Sequence, residues 1–428
     1  MTSAQTRSAF EPGTPVVVGT TTDELDLVVG PDPAGDRPSD PVDPGLVRRR
    51  VRAVVRTTIV LGAPVVIAAL VSLVVALGRS GNLSMDERFV EWLRDHHAGS
   101  LVNRVEHYYY SRHQPALGGA LLRLPSLSEP TTVEPGTTAV TTTSVPQPGD
   151  RPAAVVPFVP APLPDEGVWK PLGDSVNGRP AMYATLLRPD ELHTSLVVAA
   201  VHIDQRLARF ALYAGRIVPG HGPWPGNYSI SRPAQRHVLA AFNSGFRIPD
   251  SAGGFFLGGR HMGVLRDGAA SAVIHTDGTM TIDQWGRDSQ AGPDVVAVRQ
   301  NLALIVDDGR LVPGVGNSDD SRWGKTVGNA LFVWRSGIGM DASGNLLYVA
   351  GPGLSVKTLA AVLQRAGAVR AMELDINYAW VQFNVFPHDE RGRLDPRRAF
   401  KLLDGMKKPP TRYLTTEDRD FFAVFART

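Results

Sequence analysis

The sequence predicts an α+β protein: a strand-rich domain with a mixed sheet and few helices, behind a single N-terminal transmembrane helix and a disordered linker. Three patterns carry this prediction. They are an uncharged apolar run at 57–77, a Thr- and Pro-rich stretch at 126–164, and apolar strands that alternate with glycine turns over 167–428. Strands joined by tight turns, with helices set apart from them, are typical of the α+β class.

The apolar run TTIVLGAPVVIAALVSLVVAL occupies residues 57–77 and contains no charge. About 20 apolar residues in a helix span a bilayer core of roughly 30 Å. A cleaved signal peptide is the competing interpretation, but the run is long, starts far from Met1 and is not followed by a small-residue cleavage site. Five arginines lie within 48–56 and only Arg79 follows closely, which predicts a cytoplasmic N-terminus and an extracytoplasmic C-terminal domain in the cell membrane.

The segments around this run differ in composition. Residues 1–47 are rich in Pro, Asp, Gly and Thr, which predicts a disordered cytoplasmic tail. Apolar residues at helical spacing, among them Phe89 and Trp92, predict a juxtamembrane helical segment at 82–124. Thr, Pro and Ser dominate 126–164 and predict an extended linker that holds the C-terminal domain away from the bilayer.

Composition and motifs narrow the function classes. The net charge of +2 implies no strong attraction to nucleic acid, and the absence of cysteine excludes disulfides, thiolate metal sites and cysteine nucleophiles. No P-loop, G-x-S-x-G or H-E-x-x-H motif is present. The adjacent His96 and His97 point in different directions on a helix, and His261 and His275 lack partners at ligand spacing. We therefore expect no metal and no other cofactor.

The domain at 167–428 contains clear strand and turn signals. The expected strands are the pair 196–204 and 209–215, the hairpins 271–285, 302–312 and 335–351, and the closing strand 421–427. One helix is expected between a capping Ser355 and a terminating Gly367. A strand with the sequence RAMELDI follows that helix directly.

The strand after this helix carries the first candidate chemistry. Side chains alternate along a strand, so Glu373, Asp375 and Asn377 share the face opposite Met372 and are spaced about 6.6 Å apart. Such a spacing suits paired-carboxylate chemistry on a sugar. The alternative is that these carboxylates pair with an arginine, such as Arg370, and organise the sheet.

Two other stretches are candidates. Asn243 in AAFNSGF lies near a strand end, although Asn-Ser-Gly is also ordinary turn chemistry. Arg335 in RSGIG precedes glycines, among them Gly339, that permit close backbone approach. An arginine at this place could clamp a phosphate with two hydrogen bonds, or it could be a surface residue of the hairpin.

Four stretches, in their order and spacing, resemble the phosphodiester glycosidase family, which includes the enzyme that removes N-acetylglucosamine to uncover mannose 6-phosphate. They are AAFNSGF (240–246), GVLRDG (263–268), WRSGIGMDASGNLLYVAG (334–351) and GLSVKTLAAVLQRAGAVRAMELD (353–375). The family pattern has an N-G-G-F-F motif, an R-T-A-I-G-like strand with a D-x-x-G hairpin, a G-x-T-x-x-E-L-A helix and an L-D-G-G-G-S turn. The resemblance covers roughly residues 180–390 and indicates a divergent bacterial member.

The resemblance implies roles for single residues. Asn243, Arg335 and Asp375 match the family Asn, Arg and Asp. Asp375 would then be the nucleophile or base, Glu373 a supporting carboxylate, Arg335 the phosphate clamp and Asn243 a group that orients sugar hydroxyls. The expected substrate-binding residues are Asn377, Trp380, Gly245 and Gly339.

The sequence departs from the family pattern at one turn, where the glycines after Asp375 are replaced by INYAW at 376–380. The expected function is a membrane-anchored, extracytoplasmic, glycosidase-like hydrolase that cleaves a sugar-1-phosphodiester in envelope glycans. Its expected partners are the lipid bilayer and an envelope glycan or sugar-phosphate substrate, with no nucleic acid. The altered turn leaves open a catalytically inactive module that binds envelope polysaccharide or a partner. The helical region at 82–113 and the linker leave open a scaffold that organises the membrane surface.

Overall fold

A computed structural model of the protein describes residues 44–427, apart from residues 80, 120, 122, 126, 128–150, 318–319 and 325–330. The chain divides into two units, residues 1–68 and 69–428. In the first unit the described residues are helical. The predicted tail up to residue 43 and the linker residues 128–150 lie outside the described residues.

The described residues form few helices. The α-helices are α1 (Pro44–Gly78), α2 (Met85–Asp95), α3 (Gly99–Arg112) and α4 (Val356–Arg365), with short 3₁₀ helices at Ala234–Arg236, Ser321–Trp323 and Arg412–Leu414. The predicted membrane span 57–77 lies within α1, and α2 and α3 lie within the predicted helical segment 82–124. Among the described residues, none of the helices combines the length and the apolar character that a membrane crossing requires. The predicted transmembrane helix is therefore not confirmed.

Strands make up most of the second unit. They are β1 (Lys170–Pro171), β2 (Ser175–Val176), β3 (Arg179–Pro180), β4 (Met182–Leu187), β5 (Val198–Ile203), β6 (Ala208–Tyr213), β7 (Val238–Asn243), β8 (Phe255–Leu257), β9 (Arg260–Met262), β10 (Ala270–His275), β11 (Met280–Gln284), β12 (Val295–Gln300), β13 (Leu304–Asp307), β14 (Arg310–Leu311), β15 (Val333–Asp341), β16 (Leu346–Leu354), β17 (Ala368–Glu373), β18 (Phe383–Val385), β19 (Phe400–Lys401) and β20 (Phe421–Ala426). The strand-rich α+β class is confirmed.

The strands form three main sheets and a small pair of β2 with β3. The largest sheet has the order β1-β4-β5-β16-β15-β17-β13-β14, and the others have the orders β11-β10-β12-β8-β9 and β19-β18-β7-β20-β6. Each pairing between these strands is antiparallel, so the expectation of a mixed sheet is wrong. The physical reason is the connection through α4, which joins β16 to β17. A crossover helix usually joins two parallel strands that are neighbours in the sheet, but here β15 lies between β16 and β17 and pairs antiparallel with both.

Local sequence signals predicted the three hairpins and helix α4 correctly. Strand β10 pairs with β11, β13 with β14 and β15 with β16, each around the turn expected from the sequence. Helix α4 begins after Ser355, whose side chain accepts a hydrogen bond from the Thr358 N–H at 3.1 Å. The Thr358 hydroxyl oxygen accepts from the Ser355 N–H at 2.8 Å, which completes a reciprocal cap.

The pairing of the segments 196–204 and 209–215 was predicted wrongly. Strand β5 pairs with β4 and β16, whereas β6 pairs with β20 in another sheet. The N–H groups of Leu207 and Ala208 donate to the Asp204 carbonyl at 3.1 Å and 2.9 Å. This tight turn carries the chain from one sheet to the next, and β6 instead pairs along its whole length with the closing strand.

The core follows the two-residue period of the strands. In β5, Ala199, Val201 and Ile203 face the central core that the three main sheets share. Val198 and Ala200 face the opposite side, where α4 covers the large sheet with Leu359 and Leu363 among others. The large sheet is thus buried on both faces, which fixes its register.

The described end of the predicted linker packs against the domain. Val155 is buried, the Trp169 indole N–H donates to the Ala153 carbonyl at 2.9 Å, and the Arg365 guanidinium lies 4.1 Å from the Phe158 ring centroid. Residues 151–164 therefore cover part of the outer core.

The Ser355 cap gives a test of the fold. We expect Ser355→Ala to lower the free energy of unfolding by about 1 kcal/mol, because the first turn of α4 loses the acceptor for its Thr358 N–H. Urea unfolding measures the change. Ser343→Ala in an exposed hairpin turn serves as the control and should leave the midpoint unchanged. Equal midpoints for both variants would contradict the capping role.

Candidate active site

Asp375 lies two residues beyond the end of β17, where the chain leaves the sheet. The Leu374 N–H donates to the Ser336 carbonyl at 2.8 Å, and the Ser336 N–H donates to the Asp375 carbonyl at 3.0 Å. Strand β15 therefore holds the backbone up to Asp375. There the carboxylate oxygen Oδ1 accepts the N–H groups of Ile376 at 2.8 Å and Asn377 at 3.1 Å, which closes an Asx turn.

The other carboxylate oxygen of Asp375 is paired with a cation. Arg419 Nη2 donates to Oδ2 at 2.9 Å, and the Asp375 side chain is 7% exposed. Burial raises the pKa of Asp375, and Arg419 together with the two turn N–H groups opposes that rise. The carboxylate is thus held in one orientation by three donors.

A cleft of about 260 Å³ opens at Asp375. One wall is the turn that follows β17, a second comes from the loop after β7, and a third comes from α2 and α3. The residues that line it are Asp86, Glu87, Val90, Glu91, Arg94, Glu106, Tyr110, Phe246, Arg247, Asp250, Asp375, Ile376, Asn377, Tyr378, Ala379, Trp380, Lys407 and Arg419. Of the eight predicted site residues, Asp375, Asn377 and Trp380 line this cleft.

Four cations line the cleft: Arg94, Arg247, Lys407 and Arg419. Arg247 Nη1 lies 3.3 Å from Glu91 Oε2, and Lys407 Nζ lies 3.1 Å from Glu87 Oε1. These partners come from α2, so the helix compensates cationic charge that the sheets place at the cleft. Six carboxylates line the same cleft, so these cations would act on a bound anion through directed N–H donors rather than through a net positive field.

The altered turn builds part of the wall. Trp380 is 6% exposed and packs with Leu83, while the Arg419 guanidinium lies 4.8 Å from its ring centroid. The Asn377 side-chain oxygen accepts the Ala379 N–H at 2.9 Å, which shapes the turn. Trp380 therefore holds Arg419 in place by a cation–π contact as well as lining the cleft.

Glu373 and Arg335 do not line the cleft. Both are buried, at 0% and 1% side-chain exposure, and Arg335 Nη1 lies 2.5 Å from Glu373 Oε1. Arg335 Nε also donates to the Leu354 carbonyl at 2.7 Å. The expectation that Glu373 and Asp375 share one wall is wrong because the Glu373 carboxylate is bound by buried Arg335 and does not line the cleft, whereas Asp375 does.

Asn243 lies behind the cleft and supports it. Its amide Nδ2 donates to Ser336 Oγ at 2.9 Å, and that hydroxyl donates to the Asp375 carbonyl at 3.0 Å. The side-chain oxygen Oδ1 of Asn243 accepts from the Tyr348 hydroxyl at 3.0 Å. With 4% exposure, Asn243 is part of a buried network that fixes the backbone of Asp375.

The two predicted glycines are also behind the cleft lining. A Cβ atom on Gly245 would lie 2.8 Å from Asn301 Cγ, and one on Gly339 would lie 2.9 Å from the Ala368 Cβ. The lack of a side chain at Gly245 lets Asn301 reach the Glu373 carbonyl with its Nδ2, at 2.8 Å. Both glycines therefore permit close packing of the chain, rather than contact with the cleft.

The cleft offers carboxylates and cations but no obvious metal cage. Among the residues that the structure describes, no group of three or more His, Asp and Glu side chains could hold a metal ion. The chemistry available from the described side chains is nucleophilic or basic action by a carboxylate, together with stabilisation of an anion by arginine and lysine.

Residues 236–375 match the phosphodiester glycosidase family. This match confirms the resemblance read from the sequence, and it supports a glycosidase-like hydrolase at a coarse level. Among solved structures, the catalytic domain of zebrafish N-acetylglucosamine-1-phosphodiester alpha-N-acetylglucosaminidase, auto-inhibited by its pro-peptide, matches at 13% identity and a TM-score of 0.39 over 61% of this chain and 88% of that chain. A hypothetical protein from Synechocystis matches at 14% identity and a TM-score of 0.32, over 60% of this chain and 64% of that chain. No curated protein matches this chain.

The phosphodiester glycosidase match ends at Asp375, so several cleft residues lie outside it. Sequence reasoning missed Arg419, Lys407, Arg247 and Glu91. One signal was present: the charged run EDRD at 417–420 directly precedes the apolar closing strand. All four of its residues are less than 9% exposed, so charges at a strand entrance marked a buried polar site.

The buried Arg335–Glu373 pair predicts a pH-dependent stability. Burial raises the pKa of Glu373 to about 7, although Arg335 opposes that rise. Between pH 4.5 and about 7 the folded carboxyl therefore binds a proton that the unfolded chain has released, so the free energy of unfolding falls as the pH rises through this window.

We expect Arg335→Met to cost about 3–5 kcal/mol at pH 8, because Glu373 must then remain an unpaired buried charge or take up a proton at a pH where the unfolded carboxyl is ionised. At pH 5, where the carboxyl is protonated, the cost should be smaller. Urea unfolding at the two pH values measures it. The double variant Arg335→Met/Glu373→Gln should remove the pH dependence, and an equal loss at both pH values would contradict this account.

Proposed function

We propose that residues 167–428, together with the helices that cover the cleft, hydrolyse a sugar-1-phosphodiester, with Asp375 as the nucleophile or base. The observation that carries the proposal is the carboxylate of Asp375, held at a strand end in a cleft that Arg247, Lys407 and Arg419 border. The phosphodiester glycosidase match over 236–375 supports the same reaction class.

The chemistry asks for the two kinds of group that the cleft provides. A phosphate departs readily as an anion, so cleavage of the bond between the anomeric carbon and the phosphate oxygen needs little proton donation. The oxocarbenium-like transition state needs a nearby carboxylate. The departing phosphate needs fixed cations. Asp375 supplies the first requirement, and the cations of the cleft supply the second.

The phosphate clamp is assigned here to Arg419 and Arg247. Arg335, which the family pattern suggests for this role, is 1% exposed and bonded to Glu373 and to the Leu354 carbonyl. Arg419 and Arg247 line the cleft with side-chain exposures of 9% and 19%. A guanidinium at the cleft surface can present two parallel N–H donors to a phosphate.

The size of the cleft limits what enters it. At about 260 Å³ it lies just below the usual range of about 300–1,000 Å³ for ligand pockets. We infer that one sugar and its phosphate enter, whereas the remainder of the substrate stays outside. Trp380 and Asn377 provide an apolar ring and an amide of the kind that sugar sites use.

The compartment and the glycan are proposed on the sequence alone. The arginine-flanked apolar run at 57–77 and the Thr- and Pro-rich linker suggest a membrane-anchored enzyme that acts on envelope glycans.

One observation favours a second candidate, a non-catalytic module that binds envelope glycan. Asp375 already accepts hydrogen bonds from Arg419, Ile376 and Asn377, and its turn carries Tyr378 and Trp380 in place of glycines. A carboxylate so occupied suits a structural or binding role. Such a module would bind the glycan and release no sugar.

The activity of Asp375 is tested with the full-length chain and a panel of sugar-1-phosphodiesters, with released reducing sugar as the readout. We expect Asp375→Asn to lower kcat by roughly 10²–10⁴-fold, because the amide cannot act as nucleophile or base. Asp277→Asn, at an exposed hairpin turn, is the control and should retain activity. Turnover by Asp375→Asn at the wild-type rate would refute the assignment, and glycan binding without turnover by the wild type would support the second candidate.

The pH profile gives an independent test. Burial raises the pKa of Asp375 above its ordinary value of 3.8, so the acid limb of kcat/KM should lie above pH 3.8, and activity should be lost as the pH falls through it. Arg419→Gln removes the largest influence that lowers this pKa. We expect the acid limb of that variant to move to higher pH. An unchanged limb would show that another group controls it.

A further inference from the structure

A second carboxylate enters the cleft from α2, outside the stretch that matches the phosphodiester glycosidase family. Glu91 Oε1 lies 3.6 Å from Arg419 Nη1, and Nη2 of the same guanidinium donates to Asp375 Oδ2 at 2.9 Å. One arginine therefore lies between the two carboxylates. Glu91 and Asp375 both line the cleft, and Glu91 is 13% exposed.

The register of α2 directs Glu91 inward. Glu87, Glu91 and Asp95 are spaced four residues apart and share one face of the helix. Glu87 pairs with Lys408, and Asp95 pairs with Arg247, so the two ends of this face are tied to the domain. Because Glu91 lies between these anchors, its side chain is held at the cleft.

The carboxylate of Glu91 makes only long contacts with its cationic neighbours. Glu91 Oε2 is buried, makes no hydrogen bond and lies 3.3 Å from Arg247 Nη1, whereas Oε1 lies 3.6 Å from Arg419 Nη1. Glu106 is instead bound to Arg94 by a hydrogen bond of 2.9 Å. Glu91 thus keeps a lone pair that can accept a proton from a ligand or a water in the cleft.

We propose that Glu91 is the second catalytic carboxylate, the general base that activates the hydrolytic water. The proposal rests on the glycosidase function proposed above and deepens it. Glu373, the supporting carboxylate expected from the sequence, lies behind the cleft lining in its pair with Arg335. The two-carboxylate chemistry of glycoside hydrolysis therefore requires another acid, and Glu91 is placed for it.

The reaction is a double displacement. In the first step a carboxylate oxygen of Asp375 bonds to the anomeric carbon, and the bond from that carbon to the phosphate oxygen breaks. The phosphate monoester leaves with the electron pair, next to Arg419 and Arg247. In the second step Glu91 accepts a proton from water, whose oxygen bonds to the anomeric carbon while the bond to Asp375 breaks. The sugar is released, Asp375 regains its charge, and Glu91 returns the proton to solvent.

The test uses the full-length chain and a substrate on which the wild type turns over. We expect Glu91→Gln to lower kcat by roughly 10²–10⁴-fold and KM with it, because only the second step, hydrolysis of the glycosyl-enzyme, loses its base. Asp277→Asn is again the control, since it removes a carboxylate from an exposed hairpin turn that does not line the cleft. It should keep kcat within a few-fold of wild type.

Rescue by azide distinguishes a general base at Glu91 from a residue that only positions α2. Azide needs no base, so it should restore turnover of Glu91→Ala and yield a glycosyl azide. A residue that only positions α2 would give no such rescue, and thermal melting checks that each variant is folded. Wild-type kcat in Glu91→Gln, or no glycosyl azide from folded Glu91→Ala, would overturn the role of Glu91.

The outcomes keep the two proposals apart. Loss of activity in Asp375→Asn together with an active Glu91→Gln would leave the glycosidase function standing and would remove Glu91 from the mechanism. No turnover by the wild type on any sugar-1-phosphodiester would overturn both proposals. If Glu91→Gln does not fold, Glu91→Asp, which keeps the charge on a shorter side chain, takes its place with the same azide readout on Glu91→Ala.

Discussion

The hydrogen bonds that hold the end of β17 against β15 determine the position of everything at the cleft. The backbone of Leu374 and Asp375 exchanges two bonds with Ser336, and the Ser336 hydroxyl connects the Asp375 carbonyl to the Asn243 amide. These groups are buried, so each bond left unmade would carry a full desolvation cost. A carboxylate at the end of so constrained a strand has little freedom, which is what a reacting group requires.

A second constraint is the pairing of buried charges around Arg419. Arg412 binds Glu417 at 2.6 Å and Arg299 binds Asp420 at 2.6 Å, with all four side chains at 2% exposure or less. Arg419 lies between these carboxylates in the chain, yet it points to Asp375. Pairs of this kind contribute little net stability, but they are costly to break. They therefore fix the short segment that presents Arg419.

The sequence predicted what depends on neighbours in the chain. The turns at Asp277-Gly278 and Asp308-Gly309 and the cap at Ser355 are local signals, and each was correct. The contact between β6 and β20, by contrast, depends on residues far apart, and no local pattern encodes it. The same distinction applies to the cleft. Asp375 was found from its strand, whereas Arg419 and α2 reach it only through the tertiary fold. The role of Glu373 was misjudged because its buried partner Arg335 lies 38 residues away in the chain, and a local pattern does not reveal such a pair.

The contacts of α2 with the rest of the domain determine when the cleft can form during synthesis of the chain. Asn82 and Lys408, which tie the start of α2 to the domain, are 326 residues apart. During synthesis the segment that carries α2 emerges early, but its binding surface is complete only after the last strands have been made. Contacts of such long range form late because chain closure must precede them. A ribosome-bound or C-terminally shortened chain that lacks Lys408 and Arg419 therefore contains Asp375 but not the complete cleft.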